Sequence, residues 1–401
     1  MEKNNKPIRA LGLCSGGLDS MLAGLLVREQ GIDLTWVTFE TPFFNAAKAR
    51  KASELTGIPL LVRPIFNVYM KMLKDPPAGY GKTMNPCMDC HALMFKLAGE
   101  LMQEKNFDFL FSGEVLGQRP MSQNKSSLGY VEKHSGFKGH IVRPLSAGNL
   151  PPTIPEKEGL VDRDRLLNIS GRGRSRQIKL AEKFGLTDYP APAGGCLLTD
   201  KNFSHRLRDL LEHQDDCTEE ELHLLKHGRH FRLNPAAKAI VGRTEEDNQN
   251  ILKYHNPAAD TVLDVKDYPS PIALVPRGAK MASIQLAAAI CTGYSKAPKL
   301  SPVDVVMKTS GKKKTIRVIA IMPDEHCLST DMAGTVTGNP ARSAHWRAVL
   351  CPVAPCWRAA PMITSWTSPG STPARSTAAA GCKPPPAGTR RAHCPKTSTT
   401  P

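Results

Sequence analysis

The tightest constraint on this chain is a short stretch near its start, Leu11-Gly12-Leu13-Cys14-Ser15-Gly16-Gly17-Leu18-Asp19-Ser20. Residues 9–14 are mostly apolar, as a short buried parallel strand is, and residues 21–28 read as a helix. A strand, a glycine turn and a helix N-terminus, in that order, hold phosphate through backbone N–H groups and the positive end of the helix dipole. Ser15 and Ser20 add hydroxyl donors, and Asp19 is the residue type that ligates magnesium on such phosphates. The plain alternative is an ordinary strand-to-helix turn rich in Gly and Ser.

Strand and helix then alternate along the chain. Residues 34–39 read as a strand, 46–56 as a helix and 59–63 as a third strand. This βαβαβ alternation predicts an α/β fold with a doubly wound parallel sheet, whose ligands sit beyond the carboxyl ends of the strands. That rim takes in residues 15–20 and the turn after Phe39, where an adenine ring would lie. Gly81-Lys82-Thr83 lacks the first glycine and the preceding strand of a Walker A loop, so it reads as a loop. Further on, 91–104 reads as a helix, 107–112 and 141–145 as strands, and 160–167 and 174–184 as helices. Arg172, Arg174, Arg176 and Lys179 form a basic run that is either a solvated face or a phosphate contact.

Ser15-Gly16-Gly17-Leu18-Asp19-Ser20 resembles the PP-loop of the ATP pyrophosphatases. The resemblance implies an adenine nucleotide alpha hydrolase-like fold that binds ATP and Mg2+, adenylates a carbonyl or carboxyl oxygen and releases pyrophosphate. Ser112-Gly113-Glu114-Val115-Leu116-Gly117-Gln118, with Ser122-Gln123, resembles a segment of the tRNA 4-thiouridine synthetases, as does Val142-Arg143-Pro144-Leu145. Ser112 stands where that segment has Thr, and Arg119-Pro120 interrupts it. Residues 15–20, Phe39, Gly113 and Gln118 are thereby implied in nucleotide binding.

Cys87-Met88-Asp89-Cys90-His91 is a Cys-x-x-Cys in a turn before a helix, and Cys196 follows the glycine-ended loop 189–195. Two thiolates at that spacing grip one metal ion or cluster, and a third closes the site from across the fold. Four readings compete. Covalent haem requires export, and no signal peptide opens the chain. Zinc would take His91 as its fourth ligand. A redox pair would carry persulfide sulfur on Cys87 or Cys90, with Cys196 resolving it. A [4Fe–4S] cluster would be held by Cys87, Cys90 and Cys196. The three-cysteine pattern resembles that of the cluster-dependent tRNA thiolation enzymes, which implies the last of these and gives Asp19, Cys87, Cys90 and Cys196 the catalytic roles. Cys14 lies inside the first strand and reads as packing.

After helices at 203–211 and 219–226 the character changes. Strands at 261–267, 271–275, 303–308 and 314–321 with a helix at 282–292 suggest a smaller α+β unit. Val241-Gly242-Arg243, Asn248, Asp264-Val265-Lys266-Asp267, Ala287-Ala288, Tyr294-Ser295-Lys296 and Val303-Asp304-Val305 resemble the RNA-binding domain of the NFACT-type proteins. The expected domains are 1–200 (PP-loop), 201–235 (helical connector), 236–326 (NFACT-like) and 327–401 (low-order tail). The PP-loop begins at residue 11, so the extra N-terminal tRNA-binding module of the thiouridine synthetases is not expected ahead of it. RNA recognition is therefore expected from the C-terminal domain.

Charge agrees with a polyanionic partner. The formal net charge is +16; residues 327–401 supply +7 of it, and the rest of the chain keeps +9. That tail is rich in Pro, Ala, Ser, Thr and Arg and holds three of the four Trp, against the usual composition of disordered segments. An out-of-frame reading of the gene's end or a basic arm would explain it. No apolar run is long enough to span a membrane, so the expected place is the cytoplasm, with the eleven cysteines reduced, metal-bound or catalytic. The leading expectation is an ATP-dependent sulfurtransferase acting on RNA, above all tRNA uridine, supplied by sulfide or a persulfide carrier. An oligomer is compatible with the sequence. The alternatives are a PP-loop ligase, sulfur transfer to a small metabolite, or a non-catalytic RNA-binding protein.

Overall fold

The computed structural model describes residues 6–119, 121–191 and 196–322. Residues 192–195 of the third-cysteine loop, Pro120 and the tail 327–401 lie outside the described residues.

The first half runs β1 (Arg9–Leu13), α1 (Leu18–Arg28), β2 (Asp33–Glu40), α2 (Ala47–Thr56), β3 (Leu60–Pro64), α3 (Phe66–Lys74), α4 (Cys87–Glu104), β4 (Phe109–Ser112), α5 (Lys125–Ser135) and β5 (Ile141–Val142). The five strands pair in parallel in the order β3-β2-β1-β4-β5. This is the expected doubly wound sheet. Successive residues of β1 face opposite sides, which is why the strand reads as continuously apolar. Ala10 packs with Trp36, Phe109, Phe111 and α1 in one core, and Leu11 packs with Val37, Leu110, α3 and α4 in the other. Close approach of α1 to the sheet depends on small residues. A Cβ on Gly12 or Gly24 would lie 2.6 or 2.4 Å from the Trp36 ring.

Three local expectations change. The helix expected from residue 91 starts at Cys87, with Pro86 at its N-cap, so both cysteines of Cys-x-x-Cys lie on its first turn rather than in a loop before it. Asp89, buried in that turn, accepts from the Ala78 backbone N–H at 2.9 Å and the Tyr130 hydroxyl at 2.7 Å. The helix expected over 160–167 does not form. α6 (Ile154–Lys157) is followed by one 3-10 turn, Arg163–Arg165. There the backbone N–H groups of Leu167 and Ile169 donate to the carbonyls of Pro144 and Leu145 at 2.9 and 2.8 Å, which draws the chain out of helical geometry. The third change is that α3 and α5 occupy stretches assigned no element in advance. α7 (Ser175–Lys183) then packs on α1.

The second half comprises α8 (Lys201–His213), α9 (Glu219–Leu224), β6 (Arg229–Asn234), β7 (Ala237–Val241), α10 (Glu245–Tyr254), β8 (Thr261–Val265), β9 (Ala273–Val275), α11 (Met281–Tyr294), β10 (Val303–Thr309) and β11 (Lys312–Val318). Its sheet is antiparallel throughout, in the order β11-β10-β8-β9-β7-β6. Strand alternation sends Ala239, Val241, Leu263, Ala273 and Val305 toward α11. It sends Ile240, Val262 and Leu274 toward Leu224 of α9 and Ile251 of α10. β6, which precedes residue 236, belongs to this sheet. Arg232 of β6 forks onto Asp209 of α8 at 2.9 and 2.6 Å, tying that helix to the sheet. Among the described residues no helix is long and apolar enough to cross a membrane.

Candidate functional site

Strand order reverses between β1 and β4, and the carboxyl ends of these two neighbours carry the two segments singled out by sequence. The loop after β1 turns at Gly16, whose φ is +73° and whose hypothetical Cβ would lie 2.2 Å from the backbone carbon of Lys48. Only glycine fits there. Gly17 caps α1 without any side-chain hydrogen bond to the helix end, so the first N–H groups of α1 remain for a ligand. Ser15 is exposed. Leu18 is buried in the core and offers a ligand only its backbone. Ser20 is buried, and its hydroxyl donates to the Gly17 carbonyl at 2.7 Å, so it braces the turn. Cys14 is buried against Ser20, with 3.8 Å between Sγ and Oγ, in keeping with packing.

Asp19 is the polar centre of this loop. Its Oδ2 accepts from Gln118 Nε2 at 3.0 Å, while Oδ1 is covered and has no hydrogen-bond partner. An orphaned carboxylate oxygen beside a helix N-terminus fits a cation ligand, as magnesium on a polyphosphate requires. Gly113 lies directly beneath: a Cβ there would sit 2.5 Å from the Asp19 carbonyl carbon and the Ser20 nitrogen. Gly113 thus supports the loop by its lack of a side chain. Phe39, at the end of β2, is 5% exposed and buried in the core.

The segment after β4 also reaches the cysteines. Glu114 accepts from Arg143 Nε at 2.9 Å and bonds His91 Nδ1 at 2.9 Å, and Arg143 reaches Glu132 as well. Burial opposes ionisation of Glu114, but Arg143 and His91 outweigh it and hold the carboxyl at about 2. His91 follows Cys90 on the first turn of α4, so one carboxylate joins the cysteine helix to the loop that holds Asp19. The motif pointed to Glu114 as a rim residue; its partners stand 23 and 29 positions away in the chain and had no local signal.

Cys87 and Cys90 are half-buried, Cys196 is exposed, and all three are free. Asn85 Nδ2 donates to Cys87 Sγ at 3.2 Å, and the Tyr69 hydroxyl lies 3.6 Å from Cys90 Sγ. Thr83 donates to the Leu198 carbonyl at 2.7 Å, which draws the Cys196 segment to the start of α4. Burial pushes the Cys90 thiol up to about 12; Tyr69 opposes this, and neighbouring Cys196 and Cys87 add to it. The Tyr69 hydroxyl is raised by burial first, then by Cys90 and Cys196. The three sulfurs therefore share one electrostatic neighbourhood. Among the described residues no group of three or more His, Cys, Asp or Glu is closed tightly enough to hold a metal ion. Two cysteine sulfurs on a helix N-terminus with a third from another segment are the donor type that zinc and iron–sulfur clusters take.

Comparison with known proteins covers both halves. Residues 7–149 match the family model described as thiamine biosynthesis protein (ThiI), and residues 228–329 match the NFACT protein RNA binding domain. The resemblances to the thiouridine synthetases and to the NFACT RNA-binding domain are thus shown. A probable tRNA sulfurtransferase of Oceanobacillus iheyensis is 27% identical over 146 residues, 34% of this chain and 34% of that protein. The chain therefore spans about a third of the length of that curated relative. Among solved structures, one described as a predicted subunit of tRNA methyltransferase from Methanocaldococcus jannaschii is similar at a TM-score of 0.29 and 14% identity, covering 44% of this chain and 76% of that one. The C-terminal part of the fibronectin/fibrinogen-binding protein from Streptococcus suis has a TM-score of 0.22 at 15% identity, covering 61% and 89%.

Proposed function

We propose that this protein is an ATP-dependent tRNA sulfurtransferase. The observation that carries the reading is the bridging role of the segment after β4. Through Gln118 it holds Asp19 of the candidate ATP loop, and through Glu114 and His91 it holds the first turn of the cysteine helix. A site for oxygen activation and a site for sulfur are thereby braced by one short stretch.

In this reading the N–H groups at the start of α1 bind the ATP phosphates, with magnesium on Asp19 Oδ1. The carbonyl oxygen of a uridine base attacks the α-phosphorus, the bond to pyrophosphate breaks, and an O-adenylated base forms. The fixed backbone dipoles of the loop stabilise the charge on the departing pyrophosphate. A sulfur nucleophile then displaces AMP from the base carbon. Cys87, Cys90 and Cys196 would hold a [4Fe–4S] cluster, which when bound supplies that sulfur nucleophile. Without it, a persulfide on Cys87 or Cys90, loaded by a persulfide carrier, would attack the base carbon and displace AMP. Cys196 would then cleave the S–S bond, freeing the thiocarbonyl and leaving a disulfide for an external thiol to reduce. RNA contact falls to the antiparallel domain that includes β6 to β11, whose last hairpin carries Lys308, Lys312, Lys313, Lys314 and Arg317.

Nucleoside analysis of tRNA from a deletion strain tests the proposal. A thionucleoside should vanish and return on complementation with the intact chain but not with Asp19→Asn. An unchanged set of thionucleosides would rule out tRNA thiolation.

A further inference from the structure

The hairpin of β10 and β11 turns through Ser310 and Gly311, whose φ values of +47° and +75° suit a two-residue turn with both central residues left-handed. A slip of one residue would reverse every side chain, so this turn decides which cations share a face. Val303, Val305, Ile316 and Val318 pack under α11, and alternation puts Met307, Lys312 and Lys314 on that same side. Asp304, Val306 and Lys308 of β10 and Lys313, Thr315 and Arg317 of β11 take the other side. That second side is covered over one half of the sheet and bare over the other. Leu224 of α9 and Ile251 of α10 pack on Ile240, Val262 and Leu274 of β7, β8 and β9. The cover ends at Val262: its neighbour in β10, Lys308, is exposed, and Val306 belongs to neither core of this domain.

Charge on the bare face is unbalanced toward the hairpin tip. Arg317 pairs with Asp304 at 2.8 Å, and the face's two carboxylates, Asp304 and Asp264, lie farther from the tip. Lys308 and Lys313 stand directly opposite each other across the strands, and among the described residues neither has a carboxylate partner. Like charges placed so are destabilising in the folded chain alone, and a polyanion lying across both would relieve the repulsion. The strand ends that carry them are braced. Ser310 donates to the Ala258 carbonyl at 2.8 Å, and the Thr261 and Thr309 hydroxyls bond each other at 2.8 Å. The six side chains of this face include no aromatic ring. It therefore lacks both the anchors on which protein interfaces are built and the platforms on which RNA bases stack, which leaves phosphate as the group it suits.

We infer that the tRNA backbone crosses the bare face of β10 and β11 with its phosphates on the Lys308–Lys313 pair. Lys312 and Lys314, on the α11 side of the same hairpin, do not carry it. Contact through phosphates alone makes this hold independent of RNA sequence. The inference rests on the proposed tRNA substrate.

Binding of a tRNA transcript to the intact protein, measured across a salt series, separates the outcomes. Lys308→Gln combined with Lys313→Gln should weaken binding roughly twentyfold at about 0.15 M salt and lower the slope of log affinity against log salt by about 1–2, the counterions of two phosphates. Its melting temperature should hold or rise, because the repulsion leaves with the charges. Lys312→Gln combined with Lys314→Gln removes the same charge from the same hairpin and should stay within about threefold, with the slope unchanged. Equal losses in the two double variants would overturn the face, since net charge alone would then account for binding. Displacement of the tRNA by polyglutamate as readily as by unlabelled tRNA would also overturn it, and would assign the face to an acidic protein segment. Failure of the unmodified protein to bind tRNA would instead overturn the proposed substrate.

Discussion

Gln118 Nε2 donates to Asp19 Oδ2 at 3.0 Å, joining residues 99 positions apart at the ends of adjacent strands. The bond leaves Asp19 Oδ1 as the unpartnered oxygen of the carboxylate. Gln118 thus aims the carboxylate and need not touch the metal itself. Gln118→Leu should leave the melting temperature nearly unchanged and weaken magnesium-dependent ATP binding by roughly 1 kcal/mol, the worth of one such hydrogen bond. Nucleotide titration with and without magnesium checks it; an equal loss in both would show that Gln118 acts on the nucleotide directly.

The two glycines of the loop differ. Gly16→Ala combines a left-handed backbone with a 2.2 Å approach to Lys48. It should cost roughly 1–3 kcal/mol of stability and abolish ATP binding. Gly17 has a φ of −86°, and its Cβ would meet only Ser15 Oγ at 3.4 Å. Gly17→Ala should therefore stay within about 0.5 kcal/mol in denaturant unfolding.

Glu114 sets an acid limit on the fold. Its carboxyl is held at about 2 in the folded protein against an ordinary 4.5, so the unfolded chain takes up the proton first. The stabilisation is complete above about pH 4.5 and is lost as pH falls toward 2. Glu114→Gln leaves Arg143 with only Glu132, and should cost roughly 3 kcal/mol at neutral pH while flattening the acid limb. Unfolding midpoints across this range measure both.

Anaerobic purification should yield a brown, iron-containing protein that loses its colour in Cys87→Ala, Cys90→Ala and Cys196→Ala. Cys14→Ala, in the core beneath the loop, should keep it. A colourless protein containing zinc would set aside the cluster and retain the cysteines as zinc ligands.

Short-range patterns carried much of this protein. The apolar run of β1 and the glycine turn before α1 are local necessities: a strand covered on both faces and a helix N-terminus approached closely by other backbone. They marked both the doubly wound sheet and residues 15–20. The spacing of Cys87 and Cys90 likewise announced a pair of sulfurs. Residues 160–167 carry helical spacing and yet form no helix, because Leu167 and Ile169 pair with Pro144 and Leu145, which no local pattern encodes.

Tertiary structure alone decided which side chains act together. Gly113 acts as the floor of the loop, Gln118 as the clamp on Asp19, and Glu114 as the link from that clamp to His91. Each is a contact between segments brought together only when β1 and β4 become neighbours. Sequence periodicity reports which face of an element is buried, and so it finds cores. It carries no record of what a polar side chain meets across a strand boundary, and the site is made of those meetings.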